Sequence, residues 1–574
     1  MSLQMAMFAR KNEWVPPLEL PDITGASKIA IDVETRDPNL KNSGPGWPTG
    51  DGEVVGYAVA IDGWSCYIPI RHFGGGNLDE KIVNRWLKKV FECPADKIMH
   101  NAQYDLGWIK QMGFTVNGRI IDTMIVASLL DENRFSYSLN ALCYDVLNKT
   151  KSEKALVEAA REFGVDPKAE MWKMPAMYVG PYAEADAELT LELWNFFSVK
   201  IGQEDLWNVV NLELDLLPCL VDMTMRGVRV DVNRVERTRD SLLKRERDVL
   251  KELKRVAGSG VEIWAAQSLA KSFDNLGIQY PKTEKGAPSF TKLFLQEHDH
   301  PVAKLIVEAR NLNKTSGTFI NSIMKHCQWA AIDFSQQEPR ILVHYAHVYG
   351  KTRGIPLEGA ADFVTAYNEK PETDFHSLVA EMANIPRKQA KTINLGLIYG
   401  MGVNKLADQL DTSVEDAKSL VKQYHARVPF VKGLMTGVMN RLNDKTSGGA
   451  LRSLEGRKCR FDMWEPDTFA MNKALPYKEA VSAYGPTTRL KRAFTYKALN
   501  RLIQASAADM TKKAMVALYK AGQLPMLQIH DELAMSVKNI EEAQEIARVM
   551  ENAIPLEVPN VCDVEIGPSW GEAK

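Results

Sequence analysis

Cysteine is scarce in this chain and never paired at a functional spacing. The seven Cys (66, 93, 143, 219, 327, 459, 562) form no CxxC, and His344 with His347 has no Cys or carboxylate at zinc-finger distance. That excludes zinc ribbons and CxxC redox chemistry and leaves reduced structural thiols. Long apolar runs are also missing. No stretch of about 18 apolar residues occurs, and MSLQMAMFARKNEW has no apolar core of signal-peptide length, so the expectation is a cytoplasmic protein with no membrane partner. Neither sign of charge dominates: 71 Lys and Arg face 73 Asp and Glu, for a net charge of −2. A near-neutral total argues neither for nor against nucleic acid, because a DNA cleft needs only a local basic surface and a metal site must itself be acidic. There is no internal repeat or low-complexity tract. The glycine-rich turns PGWPTGDGE and HFGGGN lack the Lys and Ser/Thr of a phosphate-binding loop, which removes ATP-driven activity of that kind. What remains is an ordinary soluble composition, 45% hydrophobic and 25% charged over 574 residues, enough chain for about three to five domains.

The stretch RKQAKTINLGLIYG organises the rest. Arg387, Lys391, Leu395 and Tyr399 recur every four residues, so on an α-helix they form one slowly drifting stripe of two cations, an apolar side chain and an aromatic. Such a face suits a nucleotide, with the cations toward a triphosphate and the apolar end toward base and sugar. By spacing alone the better reading is a solvated basic turn running into a buried one, and only context reverses it. Two acidic stretches supply context. AAIDFSQQEPRI places Asp333 after a short apolar run that reads as a buried strand, and MLQIHDELAMSV places Asp531 in a similar frame with His530 and Glu532 beside it. Ionised Asp in an apolar frame is costly unless paired or bound to metal, and two such Asp brought together repel unless a divalent cation lies between them. A two-metal phosphoryl-transfer site fits that pattern.

A second acidic set lies near the N-terminus. In KIAIDVET, Ile29, Ile31 and Val33 alternate with Ala30, Asp32 and Glu34, so a strand carries both carboxylates on one face. IMHNAQYDLGWI offers Asn101 and Asp105 where a strand turns into a helix. YVGPYAEADAELTLELW puts Tyr182 and Asp186 one helical turn apart. Together they amount to four carboxylates and a tyrosine.

In chain order, DFSQQEPR, RKQAKTINLGLIYG and QIHDE resemble motifs A, B and C of family A (DNA polymerase I-like) DNA polymerases, of phage type. The DxE, Nx₃D and Yx₃D set resembles proofreading 3′→5′ exonucleases of the DEDDy type. The resemblance covers nearly the whole chain and implies a multidomain α/β protein: an RNase H-like 3′→5′ exonuclease domain at 1–204, a thumb at 205–326, and a palm with fingers at 327–574, the fingers at about 355–445. It implies a template-directed DNA polymerase that adds dNTPs to a primer, serves DNA replication in a host cytoplasm and carries two Mg²⁺ per active site, with Mn²⁺ as a substitute. Primer-template DNA and dNTPs are the implied partners, and a processivity factor, helicase or primase is compatible with it. Asp333 and Asp531 correspond to the polymerase metal ligands, and Asp32, Glu34, Asp105 and Asp186 to those of the exonuclease, where Tyr182 would orient the attacking water. Asp122 in IIDTMI reads as a helix N-cap or as a support behind those ligands. Arg387 and Lys391 would clamp the triphosphate. Gln336 and His530 belong with the substrate contacts, Glu338 with Tyr399 would wall the sugar's C2′, and Asn500 with Gln504 would read the minor groove of the new base pair, whose acceptors are shared by all pairs. The charged helical stretch 233–256 corresponds to the thumb helix beside the duplex, and LRSLEGRKCRF to a basic hairpin.

Two departures stand out. Leu395 occupies a place the family usually fills with Phe or Tyr, and a TGRxSS-like stretch is absent between Lys314 and Asp333, where TSGTFINSIMKHC runs straight into QWAAIDFS at Cys327 and Gln328. That absence supports the alternative expectation of a 3′→5′ exonuclease carrying a polymerase-shaped DNA-binding module with weak or no synthesis. With Asp32 so near the start, no 5′-nuclease domain is expected ahead of the exonuclease.

Overall fold

The computed structural model describes residues 13–228, 232–258, 260–283, 286–314, 329–398, 401–410, 412–443, 447–468 and 472–573. Tyr399, Cys327 and Gln328 lie outside these, as does the side chain of Leu395. The chain divides into two compact units, Met1–Gly227 with Ala330–Glu565, and Val228–Trp329 with Ile566–Lys574.

The first unit opens with a five-stranded sheet. Its strands are β1 (Lys28–Arg36), β2 (Glu53–Ile61), β3 (Trp64–Pro69), β4 (Asp96–Met99) and β5 (Ile120–Asp122), in spatial order β3-β2-β1-β4-β5. β1 runs antiparallel to β2 and parallel to β4, and β4 is parallel to β5. The alternation of KIAIDVET is realised: Ile29, Ile31 and Val33 are buried on one face of β1, with Asp32 and Glu34 on the other. A register shift after Glu34 bends the strand at that carboxylate. Helix α1 (Ala102–Gln111) follows β4. The 28-residue helix α2 (Ala176–Gln203) crosses the carboxylate side of the sheet and packs on β1, β2 and β3. The glycine-rich turn PGWPTGDGE leads from β1 into β2.

Helix α3 (Trp207–Arg226) packs on β5 and α1. The boundary at Gly227 therefore falls inside the stretch 205–326 that the sequence reading gives to the thumb. Beyond it in the same unit come β6 (Trp329–Phe334) and helices α4 (Gln337–Arg353), α5 (Phe375–Ala383) and α6 (Arg387–Ile398). The hairpin of β7 (Ala450–Arg452) and β8 (Lys458–Arg460) precedes helix α7 (Ala498–Lys520). The strands β9 (Leu527–Ile529), β10 (Glu532–Ser536) and β11 (Cys562–Gly567) complete a second sheet in the order β9-β10-β6-β11. β6 is thus an interior strand, which explains its run of buried Ala330, Ala331, Ile332 and Phe334. One apolar cluster joins that sheet to α4, α6 and α7.

The basic hairpin is used inside the protein. Arg460 pairs with Glu132 at 2.5 Å and Glu204 at 2.7 Å, Lys458 reaches Glu204 at 2.7 Å, and Arg452 donates to the carbonyls of Glu204 and Asp205. Arg457 bridges the fully buried Asp509 at 2.8 Å and Glu213 at 2.5 Å, and Lys512 joins Glu213 at 2.6 Å. These contacts tie the N-terminal sheet region to α7 through α3. A buried carboxylate such as Asp509 is tolerated only with partners of this kind.

The second unit is helical. Val232–Ala257 packs along Pro301–Lys314, with Val249, Leu253, Phe273, Val302 and Ile306 in its core. Exposed residues of Val232–Ala257 include Lys244, Arg247 and Lys251.

Candidate active sites

The two acidic sets form two separate centres in the first unit. In the N-terminal one, ligand-type oxygens of Asp32, Glu34 and Asp186 all lie within 4.8 Å of one another. β1 delivers the first two from one face, and α2 delivers Asp186 one turn after Tyr182. Asp105, in the first turn of α1, is buried beside them, and its Oδ1 accepts the Val33 N–H at 3.1 Å. The structure brings three of the four predicted ligands into one cage, with the fourth turned toward the strand backbone.

Asp122 fixes this arrangement from behind. It caps the following helix through the Met124 N–H at 2.8 Å, and also accepts the N–H groups of Asn101 and Ala102 at 3.1 and 2.8 Å. The N-cap reading holds, and Asn101, at φ 68°, is the left-handed residue that starts α1. Opposite Glu34 on β2 stands Gly56, where an added Cβ would lie 2.1 Å from the Tyr67 hydroxyl. Glycine is required there so that Tyr67 can reach His72 Nε2 at 2.7 Å beneath the carboxylates.

The electrostatics follow from crowding. Burial, then the Asp186 charge, pushes the Asp32 carboxyl up to about 7. Burial and the charges of Asp32 and Asp186 hold Glu34 well above the usual carboxylate range, and burial with Asp32 does the same for Asp105. Burial raises Asp186 too, opposed by Lys151, whose ammonium contacts Asp186 Oδ1 and sits 3.3 Å from the Tyr182 ring centroid. Sequence reasoning missed Lys151, since nothing in NKTKSEK separates it from a solvated lysine. A cage of mutually repelling, desolvated carboxylates is the donor set expected for a hard divalent cation.

In the second centre, Asp333 is the penultimate residue of β6 and Asp531 lies in the turn between β9 and β10, where His530 takes φ 56°. Asp333 Oδ1 is buried without a hydrogen-bond partner. Burial, then the charges of Asp531, Glu532 and Asp563, pushes its carboxyl up to about 6. A cavity of 730 Å³ is lined by Glu338, Gln504, His530 and Asp531, together with Gln337 and Gln528. Asn500, one turn before Gln504 on α7, has a buried Oδ1 with no hydrogen-bond partner.

The helix α6 presents Arg387 and Lys391 on exposed positions one turn apart. Arg387 is engaged with Asp374, Nε to Oδ2 at 2.6 Å, and with Ser377 at 3.1 Å. Buried Asn394 anchors the helix: its Nδ2 lies 3.0 Å from His376, and its Oδ1 accepts the Tyr424 hydroxyl at 2.6 Å. The Gln336 side chain is occupied inside the protein, donating to the Thr373 carbonyl at 3.1 Å and accepting the Phe375 N–H at 2.8 Å. Arg340, also missed as a functional position, is fully buried. It donates to the carbonyls of Ser335, Pro559 and Pro371 at 2.8, 2.7 and 2.7 Å and stacks 4.6 Å from the Tyr367 ring. It thereby fixes the turn that follows Asp333.

Two family models match separate stretches of the chain. The profile described as DNA polymerase family A matches residues 324–572, and that described as 3′-5′ exonuclease matches residues 22–202. The DNA-directed DNA polymerase of Pseudomonas phage M6 is 32% identical over 683 residues, covering 100% of this chain and 98% of that protein. DNA polymerase DpoZ of Salmonella phage PMBT28 is 25% identical over 96% of this chain and 98% of its own. DNA polymerase I of Pseudomonas aeruginosa is 25% identical over 98% of this chain and 64% of its own. Among solved structures, the POL domain of Pol1 from M. smegmatis, in complex with DNA primer-template and dNTP, superposes with a TM-score of 0.73 at 21% identity, over 96% of this chain and 97% of that one. The chain belongs to DNA polymerase family A: it is a DNA-directed DNA polymerase with an N-terminal 3′–5′ exonuclease domain. Both families depend on divalent metal. Among the described residues no helix is long and apolar enough to cross a membrane.

Proposed function

We propose that the chain extends a DNA primer on a template from dNTPs at the Asp333–Asp531 centre, and removes misinserted nucleotides at the centre of Asp32, Glu34, Asp105 and Asp186. Each centre would hold two Mg²⁺, with Mn²⁺ as a substitute. The observation that carries the polymerase assignment is the buried, partnerless Oδ1 of Asp333, set against the charges of Asp531 and Glu532. A buried carboxylate oxygen left without a donor costs free energy that a bound divalent cation offsets. When bound, such cations supply Lewis acidity to phosphate oxygens and ease deprotonation of the attacking hydroxyl or water.

The chain's own groups would divide the remaining work. Arg387 would exchange Asp374 for the triphosphate, and Lys391 would add a second cation one turn along. Glu338 would stand against C2′ of the incoming sugar, and His530 would border the primer end, since both line the cavity that holds Asp531. Asn500 and Gln504 would meet minor-groove acceptors, while Gln336 would serve by holding the turn after Asp333. Tyr182 would orient the attacking water beside Asp186.

A second reading, an exonuclease with weak synthesis, has one observation behind it. The alignment with the phage M6 protein spans 683 positions against the 574 residues here, so that relative carries residues without a counterpart in this chain. Primer extension with Mg²⁺ and four dNTPs on a recessed-end duplex separates the readings: rapid extension in a single encounter supports the first. Exonuclease products without extension support the second, and a TGRxSS-type segment grafted between Cys327 and Gln328 should then restore synthesis.

A further inference from the structure

Lys151 is a buried cation that the reaction as described does not use. Its side chain is 4% exposed and its ammonium contacts Asp186 Oδ1, on one of the three residues forming the carboxylate cage. The same ammonium lies 3.3 Å from the Tyr182 ring centroid, close enough for a cation–π contact. The charges it meets are those of Asp186, Asp32, Glu34 and Glu153.

The side chains on both sides of it bridge to other parts of the domain. Two residues before, Lys149 pairs with Glu192 of α2 at 2.6 Å. Two residues after, Glu153 accepts from Asn140 at 2.9 Å and Lys168 at 3.0 Å. Lys151 reaches the cage from the loop between these contacts, and its own long side chain turns readily about its four carbons.

We propose that Lys151 is the resident counter-ion of the exonuclease cage: it neutralises Asp186 when no metal is bound, and a divalent cation must displace it to enter. This rests on Asp32, Glu34 and Asp186 being metal ligands. An ammonium and a divalent cation compete for the same oxygen, so the lysine offsets the carboxylates' repulsion at the expense of metal affinity. Exonuclease activity would then switch on at a higher metal concentration than polymerase activity, whose centre has no such lysine among the described residues lining its cavity apart from Lys512, which is engaged with Glu213.

The test uses the full chain carrying Asp333→Asn and Asp531→Asn, so that Mn²⁺ binding followed by electron paramagnetic resonance reports the remaining centre. Lys151→Met should tighten Mn²⁺ binding about tenfold, the scale of one close charge contact, and Lys151→Arg should stay near the parent. Unchanged or weaker Mn²⁺ binding in Lys151→Met overturns the proposal, as does unchanged binding with slower digestion at saturating Mn²⁺, which would put Lys151 on the DNA. A second measurement needs no substitution at Lys151: acylation of lysines followed by peptide mass spectrometry. Lys151 should be protected in chelator and reactive in Mn²⁺, and equal protection in both overturns the displacement. If Asp32→Asn leaves Mn²⁺ binding unaltered, the cage is not a metal site and the proposal falls with that assignment.

Discussion

Replacing Asp32 by Asn should stabilise the metal-free protein while abolishing digestion, because the wild-type cage is strained by its own charge. The Asp32 carboxyl is pushed from its ordinary value of 3.8 up to about 7 by burial and by Asp186. A carboxyl whose folded value lies above its unfolded value binds protons more tightly when folded. The protonated form is thus the one that favours folding, and stability is lost as pH rises from about 4 through about 7. That rise corresponds to a ceiling of ~4 kcal/mol at pH 8. Asp32 shares this repulsion with Glu34 and Asp186, which stay behind in the variant, so about 2 kcal/mol should be recovered. For a domain of the exonuclease's size that is about 4–8 °C in the first thermal transition. The assay is tryptophan-fluorescence melting in EDTA. Asp32→Asn should melt above the parent at pH 8, the gap should shrink toward pH 5, and saturating Mn²⁺ should favour the parent, which alone keeps the full donor set. A variant that melts at or below the parent in EDTA at pH 8 refutes the strained cage.

Arg340→Met should leave three buried carbonyls without their donor and cost about 3 kcal/mol; single-turnover extension should fall much further than digestion, and normal extension would remove Arg340 as the support of the Asp333 turn. Glu338→Ala should admit ribonucleotides, read as rNTP incorporation on a primed template, and incorporation equal to the parent's would move the sugar gate to another residue. Leu395→Tyr should tighten dNTP binding and improve use of dideoxynucleotides, since a phenol offers a ring face and a hydroxyl that leucine lacks; unchanged discrimination between dNTP and ddNTP would count against that.

Much of the two centres was legible in the sequence, because local period fixes which residues share a face. Period two put Asp32 and Glu34 together on β1, and period 3.6 put Tyr182 with Asp186 on α2 and Arg387 with Lys391 on α6. The ordered motifs identified the family, which the comparisons then showed. What the sequence hid was partnership at long range. Arg457 meets Asp509 across 52 positions and Glu213 across 244, so a hairpin that reads as basic in the sequence finds its acidic partners only within the fold. Gln336 reads as a substrate residue by motif, yet its amide is occupied by the backbone of Thr373 and Phe375. Arg340 and Lys151 belong to residue types that are seldom buried, and only the surroundings assembled by folding make them so.

The central claim is that two chemically independent metal centres act on one DNA end. It is tested most directly by comparing Asp333→Asn with the double variant Asp32→Ala, Glu34→Ala on the same labelled primer-template and on the single strand. The first variant should lose extension and keep single-strand digestion, and the second should keep extension and lose digestion, because each removes ligands from one centre only. Loss of both activities in either variant contradicts the account.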